Sequence, residues 1–221
     1  VEAYNRVEDI LPTSRHQNII DHIVAVDINR FPLHLTALNL ASQNISERTD
    51  RLHLFHDSFF NIDPETRFLE TSRIDDEDQE VLGTFDAVIG NPPYVKIQNL
   101  RRSTPQFADY ALHTFDIATG RFDIYALFVK VGAELTADGR LSYILPNKFF
   151  ESGAGKPLRQ YLVSDQLLRE IIDFGRHQVF EGVTTYTSIL SLQSGCQGFE
   201  YAEAHEASEL GVNQAPRAEI E

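Results

Sequence analysis

Short apolar runs alternate with helical spacing along this chain, and three of the runs stop on a polar side chain. Ile23, Val24, Ala25 and Val26 lead to Asp27; Leu52, His53, Leu54, Phe55 and His56 lead to Asp57; and residues 85–89 lead through Gly90 to Asn91. After Pro32, Leu33, Ala37, Leu38, Leu40 and Ala41 fall at helical spacing. Alternation of this kind predicts an α/β fold, a mostly parallel sheet with helices on both faces. Ligands of open α/β sheets gather at the carboxyl ends of the strands, so the three polar ends predict a single binding edge.

The rest of the chain fits the same frame. Val1, Tyr4, Val7, Ile10 and Leu11 read as a helix closed by Pro12. The strand expected to precede it is absent from this chain. The acidic residues Asp75, Asp76, Glu77, Asp78 and Glu80 read as a solvated loop, and residues 98–120, without clear period, as a mobile excursion. A helix begins at Ile124, with Leu127, Phe128, Val131 and Leu135 on one face, and stops at Asp138 and Gly139. A strand over 141–145 and a helix over 158–163 follow. The runs 167–174 and 186–192 lack a clear intervening helix and predict an antiparallel hairpin at one edge. A further strand is expected over 199–202. Residues 1–194 read as one catalytic domain and 195–221 as a tail or the start of a connection to another domain.

Composition narrows the class. At 221 residues and 42% hydrophobic content the chain can bury one large core. Cys196 is the single cysteine, which rules out an internal disulfide and a Cys-rich metal site, and the eight His residues lack metal-ligand spacing. No metal is expected. No apolar run nears the roughly 20 residues that span a bilayer, and the first residues lack the features of a signal peptide, so a soluble cytoplasmic protein is expected. The net charge of −14 argues that this segment does not grip nucleic-acid phosphates unaided. The absence of Met and the start at Val1 read as an excised piece of a longer chain.

The strand ends carry the chemistry. An acid at Asp27 suits the ribose hydroxyls of a nucleoside cofactor, or else caps the next helix. Asp57 can accept from an adenine amine while Ile28 or Phe59 covers the ring, or else forms a plain turn. Asn91, Pro92, Pro93 and Tyr94 are more specific. The nitrogen of an aromatic amine or an amide is a poor nucleophile because its lone pair is delocalised. The Asn91 side-chain oxygen and the Pro92 carbonyl can each accept one amine hydrogen and favour a tetrahedral nitrogen. Successive prolines remove N–H donors and hold φ near about −65°, which aims that carbonyl. Tyr94 offers a ring for stacking.

The run Val88-Ile89-Gly90-Asn91-Pro92-Pro93-Tyr94 resembles the catalytic motif of the N6-adenine DNA methyltransferases, above all methylases of restriction-modification systems. The resemblance extends through residues 25–28, 57–59, 123–128 and 145–150. It implies a Rossmann-like methyltransferase fold and S-adenosylmethionine as methyl donor, bound by Asp27, Ile28, Asp57, Phe59 and Phe128. It makes Asn91, Pro92 and Tyr94 catalytic, and it places Pro93 and Phe180 against a flipped adenine of double-stranded DNA. Target recognition is then expected from a domain or subunit outside this chain, and the family's glycine-containing cofactor loop from residues upstream of Val1. Two alternatives stand beside it: a methyltransferase acting on a protein glutamine amide, and a non-catalytic scaffold of the same fold.

Overall fold

A computed structural model describes residues 1–62, 67–69, 79–81, 83–136, 138–180, 185–204 and 217–218. The chain divides into two compact units, Val1–Gly83 and Thr84–Glu221.

The first unit holds helices α1 (Glu2–Ile10), α2 (His16–Asp21) and α3 (Arg30–Ala41) with strands β1 (Val24–Asp27), β2 (His53–His56), β3 (Arg67–Leu69) and β4 (Gln79–Val81). Strands β1 and β2 pair in parallel, Asp27 opposite His56, and β3 pairs antiparallel with β4. Tyr4, Ile19, Ile20 and Leu40 form its core, with Val7, Ile23 and Leu52 packed against them. Buried polar groups are matched. The Tyr4 hydroxyl lies 2.8 Å from Nδ1 of His16, whose Nε2 lies 3.1 Å from the Thr49 hydroxyl. Arg51 forks onto both oxygens of Asp21 at 2.9 and 3.1 Å, tying α2 to the approach to β2. Of the acidic run read as a loop, residues 75–78 lie outside the described residues, while Glu80 sits in β4 opposite Phe68.

The second unit is built on a six-stranded sheet. Its strands are β5 (Ala87–Gly90), β6 (Arg140–Pro146), β7 (Leu168–Asp173), β8 (Thr187–Leu192), β9 (Phe199–Glu203) and β10 (Arg217–Ala218), in the order β10-β9-β7-β8-β6-β5. Strands β5, β6, β7 and β9 share a direction, and β8 and β10 oppose it. The expected antiparallel pair β7 and β8 is present but central rather than at an edge, because β9 and β10 continue the sheet past β7 while β6 and β5 flank β8. Helix α6 (Tyr125–Thr136) packs on β5 and β6, burying Leu127, Val131 and Leu135, and α7 (Lys156–Ser164) buries Leu158 and Leu162. Gly139 makes the turn from α6 into β6 possible, because a Cβ there would lie 2.3 Å from the Phe85 carbonyl oxygen.

One expectation is overturned. Residues 98–120 are not a mobile excursion: they hold helices α4 (Ile97–Ser103) and α5 (Pro105–Thr114), packed against each other. The apolar anchors are Ile97, Ala108 and Ala111, all fully buried. Small alanines carry little periodic signal, and Pro105 opens a helix here, where its missing N–H costs no hydrogen bond. No helix among the described residues is long and apolar enough to cross a membrane.

Burial pushes the hydroxyls of Tyr125, Tyr143 and Tyr161 above the ordinary tyrosine range, and that of Tyr201 to about 12, where Asp173 and Glu203 add to the effect. The ionised form is thereby disfavoured in the folded state. Stability from these groups is complete below the unfolded value, about 10, and is lost as pH rises toward the folded ones. Tyrosinate absorbance followed through an alkaline titration should rise in two steps, with these residues ionising together with loss of helical circular dichroism. Ionisation of all tyrosines near pH ~10 with the fold intact would contradict the burial.

Candidate functional site

In the first unit, the ends of β1 and β2 are two carboxylates with one oxygen each already engaged. Asp27 Oδ1 accepts from the Asn29 amide at 2.7 Å, a tight turn that leads into α3. The residue at the cap position of α3 is Asn29, so Asp27 is not the helix cap. Asp57 Oδ1 accepts from the Ser58 amide at 2.6 Å and from Asn61 Nδ2 at 2.8 Å. The two Oδ2 atoms have no hydrogen-bond partner among the described residues. His56 Nε2 lies 3.1 Å from the Ile28 carbonyl, which joins the two strand ends. Ile28 is 69% exposed, and Phe59 is half-buried beside Phe60. Two acceptor oxygens, each beside an exposed or half-exposed apolar group, match the needs of a nucleoside, which offers hydroxyl and amine donors around a flat ring.

In the second unit, β5 pairs with β6 only as far as Gly90, opposite Tyr143. A Cβ at Gly90 would lie 3.1 Å from the Tyr143 ring, so glycine lets that ring pack beneath the strand end. Asn91 is exposed, Pro92 buried, Pro93 exposed and Tyr94 half-buried. The next residues are clamped. Lys96 bridges to Asp123, Ile97 N donates to the Phe122 carbonyl at 3.0 Å, and Ile124 N to the Val95 carbonyl at 2.8 Å. The Tyr94 hydroxyl sits 2.8 Å from Asn91 Oδ1 and 3.1 Å from the Ile144 carbonyl, and its ring meets Tyr125 edge-on at 6.4 Å. Burial raises the Tyr94 hydroxyl to about 12, so it remains a protonated donor at neutral pH. The strand end therefore presents one amide acceptor and one buried, fixed proline next to an anchored aromatic ring. Such a set can hold a planar amine and cannot by itself supply a nucleophile.

A profile described as Eco57I restriction-modification methylase matches residues 21–180, most of the chain and the strand ends described in both units. The chain belongs to this family. A type II restriction enzyme and methyltransferase of Escherichia coli, RM.Eco57I, is 39% identical over 109 residues, 49% of this chain and 11% of that protein. The type IIG restriction endonuclease BpuSI superposes with a TM-score of 0.59 at 20% identity, over 82% of this chain and 20% of BpuSI. A putative class I S-adenosylmethionine-dependent methyltransferase of Listeria monocytogenes gives 0.53 at 19% identity, over 82% of this chain and 49% of that one. The fold is that of the S-adenosylmethionine-dependent methyltransferases. This chain spans only a small part of the length of RM.Eco57I and of BpuSI.

Within this methylase-family chain the residues singled out in the sequence fall into three groups. Asp27, Ile28, Asp57 and Phe59 meet at the ends of β1 and β2. Asn91, Pro92, Pro93 and Tyr94 meet at the end of β5, and Phe128 lies half-buried on α6, the helix behind it. Phe180 is 37% exposed on the segment after β7, and no ring contact joins it to Tyr94 among the described residues. Three contributors escaped the sequence reading: Tyr125, the Ile144 carbonyl and Asn147. Asn147 Nδ2 donates to Asp173 Oδ1 at 3.0 Å and to the Gly175 carbonyl at 2.9 Å, and its amide donates to the Tyr186 carbonyl at 3.0 Å. It thus pins both arms of the segment that carries Phe180 to the end of β6. The signal was present in the resemblance over 145–150, but no local pattern says which partner an asparagine will find. Among the described residues no cluster of His, Cys, Asp and Glu is arranged to hold a metal ion.

Proposed function

We propose that this chain carries the methyl-transfer site of a DNA methyltransferase that acts on the exocyclic amine of adenine. The observation that supports this most directly is the pair of acceptors at the end of β5, Asn91 Oδ1 and the carbonyl of the buried Pro92, next to an anchored Tyr94. When bound, S-adenosylmethionine supplies an electrophilic methyl group. Asp27 and Asp57, whose second oxygens have no partner among the described residues, would hold its ribose and adenine, with Ile28 and Phe59 beside them; the family resemblance adds Phe128 as a further cofactor contact. Asn91 and Pro92 accept the two amine hydrogens of the target base, which localises the nitrogen lone pair as the transition state develops. In a stacked duplex that amine is out of reach, so the base is extruded and stacks on Tyr94 and Phe180, with Pro93 at its edge.

Methylation at a ring carbon of cytosine fits the chain poorly. That carbon becomes nucleophilic only after a thiolate adds to the neighbouring atom. The single cysteine, Cys196, follows β8, whose last residue Leu192 pairs with Leu141 at the start of β6. Asn91 follows Gly90, which pairs with Tyr143 further along β6, so Cys196 belongs to the opposite end of the sheet. The net charge of −14 leaves most of the phosphate contacts to a recognition domain or subunit outside this chain.

The same amine logic would serve a protein glutamine amide, and a methylase-fold scaffold would need no donor at all. Labelled S-adenosylmethionine offered with unmethylated duplex, or with a protein presenting an exposed glutamine, separates the three. The proposal expects label in DNA alone. Label in protein, or none with either, would sink it. Within this reading Phe180→Ala removes one stacking wall worth about 1–3 kcal/mol. The fluorescence rise of a 2-aminopurine placed at the target base should shrink, and DNA should bind more weakly. An unchanged flipping signal and turnover would return Phe180 to an ordinary surface role.

A further inference from the structure

The Tyr94 hydroxyl has one hydrogen and two acceptors within reach, Asn91 Oδ1 at 2.8 Å and the Ile144 carbonyl at 3.1 Å. The second contact has a structural cause. The β5–β6 ladder ends at Gly90 opposite Tyr143, and Pro92 and Pro93 have no N–H with which to extend it past Ile144. The Tyr94 hydroxyl supplies a donor there instead. In the arrangement observed, however, the same hydroxyl also faces the amide oxygen that the amine clamp needs. A half-turn of the Asn91 side-chain amide exchanges its oxygen and nitrogen and moves no other atom. Nδ2 then donates to the Tyr94 oxygen, the Tyr94 hydrogen goes wholly to Ile144, and Oδ1 faces away from the tyrosine. In this second arrangement the Tyr94 hydroxyl both accepts from Nδ2 and donates to Ile144, and Oδ1 is left as an open acceptor.

Resting on the function proposed above, we infer that the Tyr94 hydroxyl is a positioning group that sets which end of the Asn91 amide faces the target amine: in the working state a chain of hydrogen bonds runs from Asn91 Nδ2 through the Tyr94 hydroxyl to the Ile144 carbonyl, and Oδ1 is turned toward the base. Tyr94 then has two separable roles. Its ring is a platform for the base, and its hydroxyl is a relay that spans 50 residues of chain between the proline turn and β6. Without the hydroxyl the amide is free to present its NH2 to the target amine, donor against donor, for part of the time. The ring platform is unaffected.

The test is Tyr94→Phe in the natural full-length protein, with single-turnover methyl transfer measured beside the 2-aminopurine flipping signal and S-adenosylmethionine affinity. The transfer rate should fall about tenfold, as for the loss of one orienting hydrogen bond. The flipping signal and the cofactor affinity should hold. In an Asn91→Asp background the carboxylate presents an oxygen whichever way it turns, so there the Tyr94→Phe change should have no effect. The inference is overturned by a parental rate in Tyr94→Phe, by a flipping signal that falls in step with the rate, or by an undiminished loss in the Asn91→Asp background. A parental rate in Asn91→Ala would overturn the amine clamp itself, and this inference with it.

Discussion

Asn91→Ala is expected to slow methyl transfer by on the order of 100-fold or more, with cofactor affinity and protein stability close to those of the parent. The size follows from what is removed: a preorganised acceptor aimed at a group whose charge develops only in the transition state. The neutrality for folding follows from the position. Asn91 is exposed, and among the described residues its side chain is hydrogen-bonded to Tyr94 alone, which keeps Ile144 as an acceptor. A truncation there leaves no buried donor without a partner. Single-turnover kinetics separate this from a binding defect. A fall confined to the affinity for DNA, with the chemical step intact, would move Asn91 out of the clamp.

Asp27→Ala should weaken S-adenosylmethionine binding by about 1.5–3 kcal/mol, the range for hydrogen bonds to a charged group. That is roughly a 10- to 150-fold rise in Kd. The geometry adds a control. Asp27 Oδ1 closes a turn onto the Asn29 amide, and Asp27→Asn can keep that bond while replacing the outward acceptor by a donor. The Asn variant should therefore keep the melting temperature of the parent and lose most of the affinity that the Ala variant loses. If instead Asn restored full affinity, Asp27 would act through the turn alone, and the ribose contact would have to be abandoned. Calorimetric titration of the three proteins with S-adenosylmethionine reads the affinity, and thermal unfolding of the same proteins reads the melting temperature.

The elements that were legible in the sequence are those whose pattern is local. β1, β2, β5, β6 and α6 show themselves by short apolar runs or helical spacing, and each ends where a Pro, Gly or Asp breaks the pattern. The terminal Asp27, Asp57 and Asn91 were legible for the same reason. What escaped depends on distance along the chain or on small side chains. Helix α4 buries the single Ile97 and α5 two alanines, so their apolar faces are too faint to stand out, and Pro105 looks like a break although it is a start. Strand β9 lies parallel to β7 beyond the hairpin, a pairing that no single window contains. The Tyr94 hydroxyl meets a carbonyl from β6, and Asn147 reaches Asp173 on β7. Composition and spacing name the residues of such a relay without saying which partner each will find.

Under the proposed function, the acceptors at the end of β5 act on the exocyclic amine of adenine. The measurement that tests it most directly is nucleoside analysis, by chromatography and mass spectrometry, of duplex DNA methylated in vitro by the natural full-length protein, with the Asn91→Ala variant in parallel. The expected product is N6-methyl-2′-deoxyadenosine, present with the parent and nearly absent with the variant. A methylated cytosine as the product, or methylated adenine formed equally well without the Asn91 side chain, would contradict the account.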